Sequence, residues 1–92
     1  MEKKRNRLEV IYDILKVIKE KNGRIKPTHI LYKSNLSYQM MEDYIKELKE
    51  KQFIEEKRLK NGKTFIITEK GLQYLSQYNI IIDFTNSFGL NE

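Results

Sequence analysis

The sequence predicts a mainly α fold with one small β-hairpin, an α+β arrangement in the order ααα-ββ-α, and three observations carry that prediction. Apolar residues recur at helical spacing in three segments before Gln52 and in one after Thr68. Between them, Phe53 to Leu59 and Lys63 to Thr68 read as strands flanking Asn61-Gly62. That dipeptide is the strongest short-range hairpin signal, because a type I′ turn needs positive φ at both central residues. The third observation is punctuation: Pro27, Asn35, Ser37 and Thr68 stand where helices must start or stop.

The first helix is written by Leu8, Ile11, Ile14, Leu15 and Ile18, with Glu9, Asp13, Lys16 and Glu20 between them, and it ends at the left-handed cap pair Asn22-Gly23. The second runs from Pro27 to Lys33 and buries Ile30 and Leu31. Proline fits its first turn, where a missing N–H costs nothing. Asn35 then stops the chain and Ser37 caps a third helix, Tyr38 to Lys51, which buries Met41, Tyr44, Ile45 and Leu48. Two short helices around so tight a corner form a helix-turn-helix, whose second helix is the element that enters a DNA major groove. After the hairpin, Thr68 caps a last helix carrying Leu72, Leu75, Tyr78, Ile82 and Phe88. The aromatic residues Tyr12, Tyr32, Tyr44, Phe53, Phe65, Tyr74 and Tyr78 fall at helical or strand spacing and are expected mostly in a core or an interface.

With 92 residues and 39% hydrophobic content, the chain supports one small core and one domain. Residues 1–68 are expected to form the helix-turn-helix unit, with 1–7 as a basic arm carrying Lys3, Lys4, Arg5 and Arg7. Residues 69–92 form the last helix and a tail packed with the same unit. The formal charge of +5 favours an acidic partner, and nucleic acid before membrane, since charges interrupt every apolar segment ahead of the last helix. No run is long enough to span a bilayer, and the N-terminus lacks the continuous apolar stretch of a secretory signal. The absence of cysteine fits a reducing, cytoplasmic and nucleoid-associated location. A composition rich in Lys, Ile and Glu without Cys or Trp points to a thermophile.

Three helices followed by a basic two-stranded hairpin describe a winged helix-turn-helix. The stretches Ile11-Tyr12-Asp13-Ile14-Leu15, Asn35-Leu36-Ser37-Tyr38, Tyr44-Ile45-Lys46-Glu47-Leu48 and Ile67-Thr68-Glu69-Lys70-Gly71 resemble the small archaeal winged-helix proteins of the 10-kDa, coiled-coil-dimerising DNA-binding family. The likeness covers residues 8 to 76. It implies a homodimeric DNA-binding protein, a transcriptional regulator or chromatin component, joined by antiparallel pairing of its C-terminal helices. The last helix departs from the family pattern, being shorter and less charged and running into Ile80-Ile81-Ile82-Asp83-Phe84.

Candidate contacts to double-stranded DNA follow from placement. At the start of the third helix, Gln39 can make a bidentate contact with adenine, and Tyr38 can reach a phosphate or a thymine methyl. Ser37 serves chiefly as the cap. Glu42 can accept from cytosine or, with Asp43, support Lys46 by helical pairing. Around the hairpin, Arg58, Lys60 and Lys63 are placed to lie along a backbone or enter a minor groove. Arg24, Lys26 and Lys33, around the second helix, read as phosphate contacts without sequence content. The competing readings are a plain solvated helix face and lysines that blunt an exposed strand edge.

The last helix offers Leu72, Leu75, Tyr78, Ile81, Ile82 and Phe84 as a dimer interface, since Ile80, Ile81 and Phe84 exceed what one small core can cover. No cofactor or metal is expected: His29 is the single histidine, there is no cysteine, and Asp13, Asp43 and Asp83 sit in separate elements. No nucleophilic triad or glycine-rich phosphate loop occurs, which argues against an enzyme. The alternative is a winged-helix module for protein–protein interaction without direct DNA binding, which Glu42 and Asp43 on the presumed recognition helix would suit.

Overall fold

The computed structural model describes residues 6–90, so the arm residues Lys3, Lys4 and Arg5 lie outside the described residues. The first helix, α1 (Arg7–Lys21), begins where the Asn6 side chain accepts from the Glu9 N–H at 2.9 Å. It ends at Asn22 with φ of 42° and Gly23 with φ of 85°, so the cap pair acts as its residue types dictate. Its core face is Val10, Ile11, Ile14, Leu15 and Ile18. Leu8, expected on the same stripe, lies at its edge in the first turn and stays exposed.

Helix α2 (Pro27–Ser34) starts on Pro27 and is closed by Asn35 in the left-handed region, with φ of 55°. Helix α3 (Tyr38–Glu50) follows after two residues, and the Ser37 hydroxyl accepts from the Met40 N–H at 3.2 Å. Met41, Ile45 and Leu48 face inward, with Tyr44 half-buried beside them. Tyr32 differs from expectation. It sits on the outer side of α2 and is 78% exposed, because Ile30 and Leu31 already turn the apolar side of this short helix to the core.

Strands β1 (Ile54–Leu59) and β2 (Gly62–Ile67) pair antiparallel with Leu59 opposite Gly62. The turn therefore centres on Lys60-Asn61, one residue earlier than the Asn61-Gly62 pattern predicts. Neither central residue has positive φ; Gly62 alone carries it, at 141°. A turn with both central residues at negative φ splays the strands, and a glycine at the first ladder position absorbs the mismatch without a Cβ to clash. A third segment joins the sheet at one point, where Ile25 bridges Phe65 and the Thr64 hydroxyl donates to the Ile25 carbonyl at 2.7 Å. Both Thr64 and Ile25 are buried, so this bond pins the α1–α2 connection to the hairpin.

Helix α4 (Glu69–Ser87) is capped by Thr68, whose hydroxyl accepts from the Gly71 N–H at 3.2 Å. It continues past Phe84 to Ser87, with Phe88 as its cap residue, and Thr85 and Ser87 donate their hydroxyls to the carbonyls of Ile82 and Asp83. It packs against α1 and β2. Tyr78 stacks on Tyr12 with ring centroids 4.6 Å apart, and the Tyr12 hydroxyl donates to Asn79 Oδ1 at 2.9 Å. The core is thus one cluster in which Ile14, Leu15, Ile18, Ile25, Ile30, Leu48, Ile54 and Phe65, from the first three helices, the α1–α2 connection and both strands, are sealed from solvent, with Leu75 of α4 packed among them. Burying each such side chain is worth roughly 1.5–3 kcal/mol. Among the described residues, no helix is long and apolar enough to cross a membrane.

Candidate nucleic-acid interface

A cleft about 210 Å³ in volume lies between α3 and the hairpin. Its floor is apolar, made by Pro27, Met41, Ile45 and Phe65. Its rim carries Tyr38, Glu42, Lys46, Lys49 and Lys63. The rim is assembled by local rules: Tyr38, Glu42, Lys46 and Lys49 recur at three- and four-residue spacing along α3, while Lys63 lies two residues from Phe65 on the same face of β2.

Several expected contacts converge here and others do not. Tyr38, Glu42, Lys46 and Lys63 share the cleft, and Gln39 is exposed on the adjoining face of α3. Arg58 lines a neighbouring recess with Glu56, Leu59, Gly62 and Lys63, and Lys60 occupies the turn at the hairpin tip. Arg24 and Lys26 are exposed on either side of Ile25, so the Ile25–Phe65 bridge holds them beside the base of the hairpin. Lys33 stands in the last turn of α2, exposed and apart from the cleft. Ser37 is committed to the cap.

Charge is arranged with some strain. Arg58 and Lys63 are directly opposite across the hairpin, a like-charge pair that destabilises a sheet unless an anion lies nearby. Glu56 supplies part of that anion. It accepts from Lys49 at 2.8 Å and lies 3.7 Å from Lys63, which ties the end of α3 to both strands. Lys49, with Lys63 and Arg58 behind it, holds the Glu56 carboxyl below its ordinary range. Neither Lys49 nor Glu56 stood out in the sequence. Lys49 was legible as the residue one turn after Lys46, and Glu56 as the residue two before Arg58 on the same strand face.

The start of α3 is held by its own acids. Gln39 Nε2 donates to Asp43 Oδ1 at 3.0 Å. The Glu42 carboxylate one turn on from Tyr38, by hydrogen bonding and charge, raises the Tyr38 hydroxyl pKa. Away from the cleft, Arg7 pairs with Glu47 and lies 5.9 Å from the Tyr44 ring centroid, clamping α1 to α3.

Along α4, the residues expected at a dimer interface separate into two groups. Leu75 is buried in the core of its own chain and Tyr78 is half-buried against Tyr12, so neither is presented outward; helical spacing alone had merged the inward stripe with the outer one. Leu72, Ile81, Ile82 and Phe84 are exposed, together with Ile80 and Phe88.

A similar arrangement recurs in known proteins. An uncharacterised protein of Methanocaldococcus jannaschii is 36% identical over 84 residues, spanning 91% of this chain and 80% of that protein. The crystal structure of a DNA-binding protein from Sulfolobus solfataricus superposes with a TM-score of 0.77 at 21% identity, covering 91% of this chain and 85% of the other. The PcaV transcriptional regulator of Streptomyces coelicolor superposes with a TM-score of 0.76 at 14% identity over 87% of this chain, which spans 58% of that larger protein. At such identities the two structures share the fold. The winged helix-turn-helix family model matches residues 4–86, and the chain belongs to that family.

Proposed function

We propose that this chain binds double-stranded DNA and acts as a transcriptional regulator or chromatin-associated protein, working as a homodimer. The observation that carries the reading is the cleft between α3 and the hairpin, rimmed by Lys46, Lys49 and Lys63. In this arrangement α3 enters the major groove, with Tyr38 and Gln39 toward base edges. Arg58, Lys60 and Lys63 follow the flanking backbone, Arg24 and Lys26 hold phosphates beside the base of the hairpin, and Lys33 holds one from the end of α2. The Arg58–Lys63 opposition, relieved only in part by Glu56, supports this, since a phosphate between them removes the rest of a repulsion the free protein carries. The Sulfolobus and Streptomyces proteins, described as DNA-binding and as a transcriptional regulator, lend the same support through a shared fold.

Homodimerisation rests on the outer face of α4. Ile80, Ile81, Phe84 and Phe88 leave a large apolar surface in a single chain, and between Gly71 and Leu90 the helix and its end carry one charged residue, Asp83. Pairing two such faces covers them and places two copies of α3 on one duplex. A second reading, a protein-interaction module, is favoured by Glu42 and Asp43 on the presented face of α3. Fluorescence anisotropy with random duplex at two salt concentrations separates the two. DNA binding must weaken steeply as salt rises, by about 0.9 log units per log unit of salt for each phosphate contact. An absence of duplex binding at low salt refutes the first reading.

A further inference from the structure

The presented face of α3 has an unexpected order of charge for a surface that meets phosphate. Its first turn carries the neutral hydrogen-bonding groups Tyr38 and Gln39, and the next turn carries Glu42 and Asp43, ahead of Lys46 and Lys49. Each acid follows one of the neutral pair by four residues, which places it directly beside that residue on the helix surface. The second pair is closed, with Gln39 Nε2 donating to Asp43 Oδ1 at 3.0 Å, and in the first the Glu42 carboxylate acts on the Tyr38 hydroxyl and raises its pKa.

Two consequences follow from this geometry. An exposed glutamine left alone samples several rotamers, whereas one tethered through a single N–H keeps its amide plane in a fixed direction. Its second N–H and its carbonyl oxygen then remain available, the donor–acceptor pair that matches adenine N7 and its N6 amino group. The carboxylates, meanwhile, repel any phosphate that approaches them, and a base edge offsets this only where an amino group of cytosine or adenine donates to them.

We propose that Glu42 and Asp43 determine specificity on this face, by positioning Tyr38 and Gln39 and by disfavouring duplexes that present no amino group at that register. The proposal rests on the duplex binding proposed above and makes the chain a sequence-selective binder, not an architectural one. Its acids lower affinity for random DNA and sharpen the choice among sites.

The test uses the full chain and two duplexes, one of random sequence and one enriched from a random pool by the wild type. Replacing both acids (E42Q with D43N) should raise affinity for the random duplex about fivefold, the loss of two like-charge repulsions in a water-like dielectric. It should also narrow the ratio between the two duplexes. D43A should lower affinity for the enriched duplex about tenfold, while D43N, whose side-chain carbonyl still accepts from Gln39, should retain more of it. Because Asp43 acts through Gln39, D43A combined with Q39A should lose no more than Q39A alone. Additive losses, or equal changes on both duplexes, would overturn the proposal. So would a wild type that binds duplex with a steep salt dependence yet enriches no sequence, and that result leaves DNA binding standing. A wild type that binds no duplex overturns both readings.

Discussion

Gly71→Ala sets two physical effects of known sign against each other. Gly71 lies in the first turn of α4, where alanine is the better helix former by up to about 1 kcal/mol. A Cβ at this position, however, would stand 2.5 Å from the Phe53 carbonyl oxygen and 2.5 Å from Ile67 Cγ1. The isoleucine can rotate, but the carbonyl cannot retreat, since it accepts from the Thr68 N–H at 3.0 Å and the Thr68 hydroxyl at 2.9 Å. Moving it breaks the cap that starts the helix. Overpacking costs about 1–3 kcal/mol, and a backbone carbonyl that cannot retreat puts this site in the upper part of that range, so the clash should win by about 1–2 kcal/mol. For a domain of this size, that lowers Tm by about 5–15 °C. Thermal unfolding by circular dichroism, at matched protein concentration because the proposed dimerisation would make Tm concentration-dependent, measures it. Adding Ile67→Ala should restore only part of the loss, because the Phe53 carbonyl remains. An unchanged or higher Tm for Gly71→Ala would show that α4 docks more loosely on the hairpin than these distances require.

Changing Arg58, Lys60 and Lys63 together to Ala should weaken binding to every duplex alike and lower the salt slope by about one unit per lost phosphate contact; an unchanged slope removes the hairpin from the interface. Ile81→Lys with Phe84→Lys should give a folded monomer whose DNA affinity falls sharply as two half-sites cease to be linked. Sedimentation equilibrium reads this, and a wild type that is already monomeric at ~10 µM would refute the dimer. Arg7 first, then Lys51, holds the Glu47 carboxyl at about 2, against an ordinary 4.5. A depressed carboxylate contributes stability that is present above 4.5 and disappears as pH falls toward 2, so wild-type Tm should fall more steeply through that window than that of Glu47→Gln. Identical pH profiles would mean that the clamp between α1 and α3 adds nothing.

What could be read along the chain is what depends on neighbours in sequence. Asn22-Gly23, Pro27, Asn35, Ser37 and Thr68 act through caps and left-handed φ values that span a few residues, so their roles held when the helices were placed in space. Helical spacing likewise identified Ile14, Ile18, Met41, Ile45 and Leu48 as core. The hairpin was legible but its register was not, because the pairing of Leu59 with Gly62 is chosen by the burial of Ile54, Thr64 and Phe65 and outweighs the local preference of Asn61-Gly62. Only tertiary packing could assign Leu75 and Tyr78 to their own chain instead of a partner's, since periodicity defines a stripe but not which neighbour covers it. The joining of Ile25 to Phe65, of Arg7 to Glu47, and of Lys49 and Lys63 through Glu56 belongs to the same class. Those contacts link residues that no short-range rule connects, and they decide which cations share the cleft and which stand apart from it.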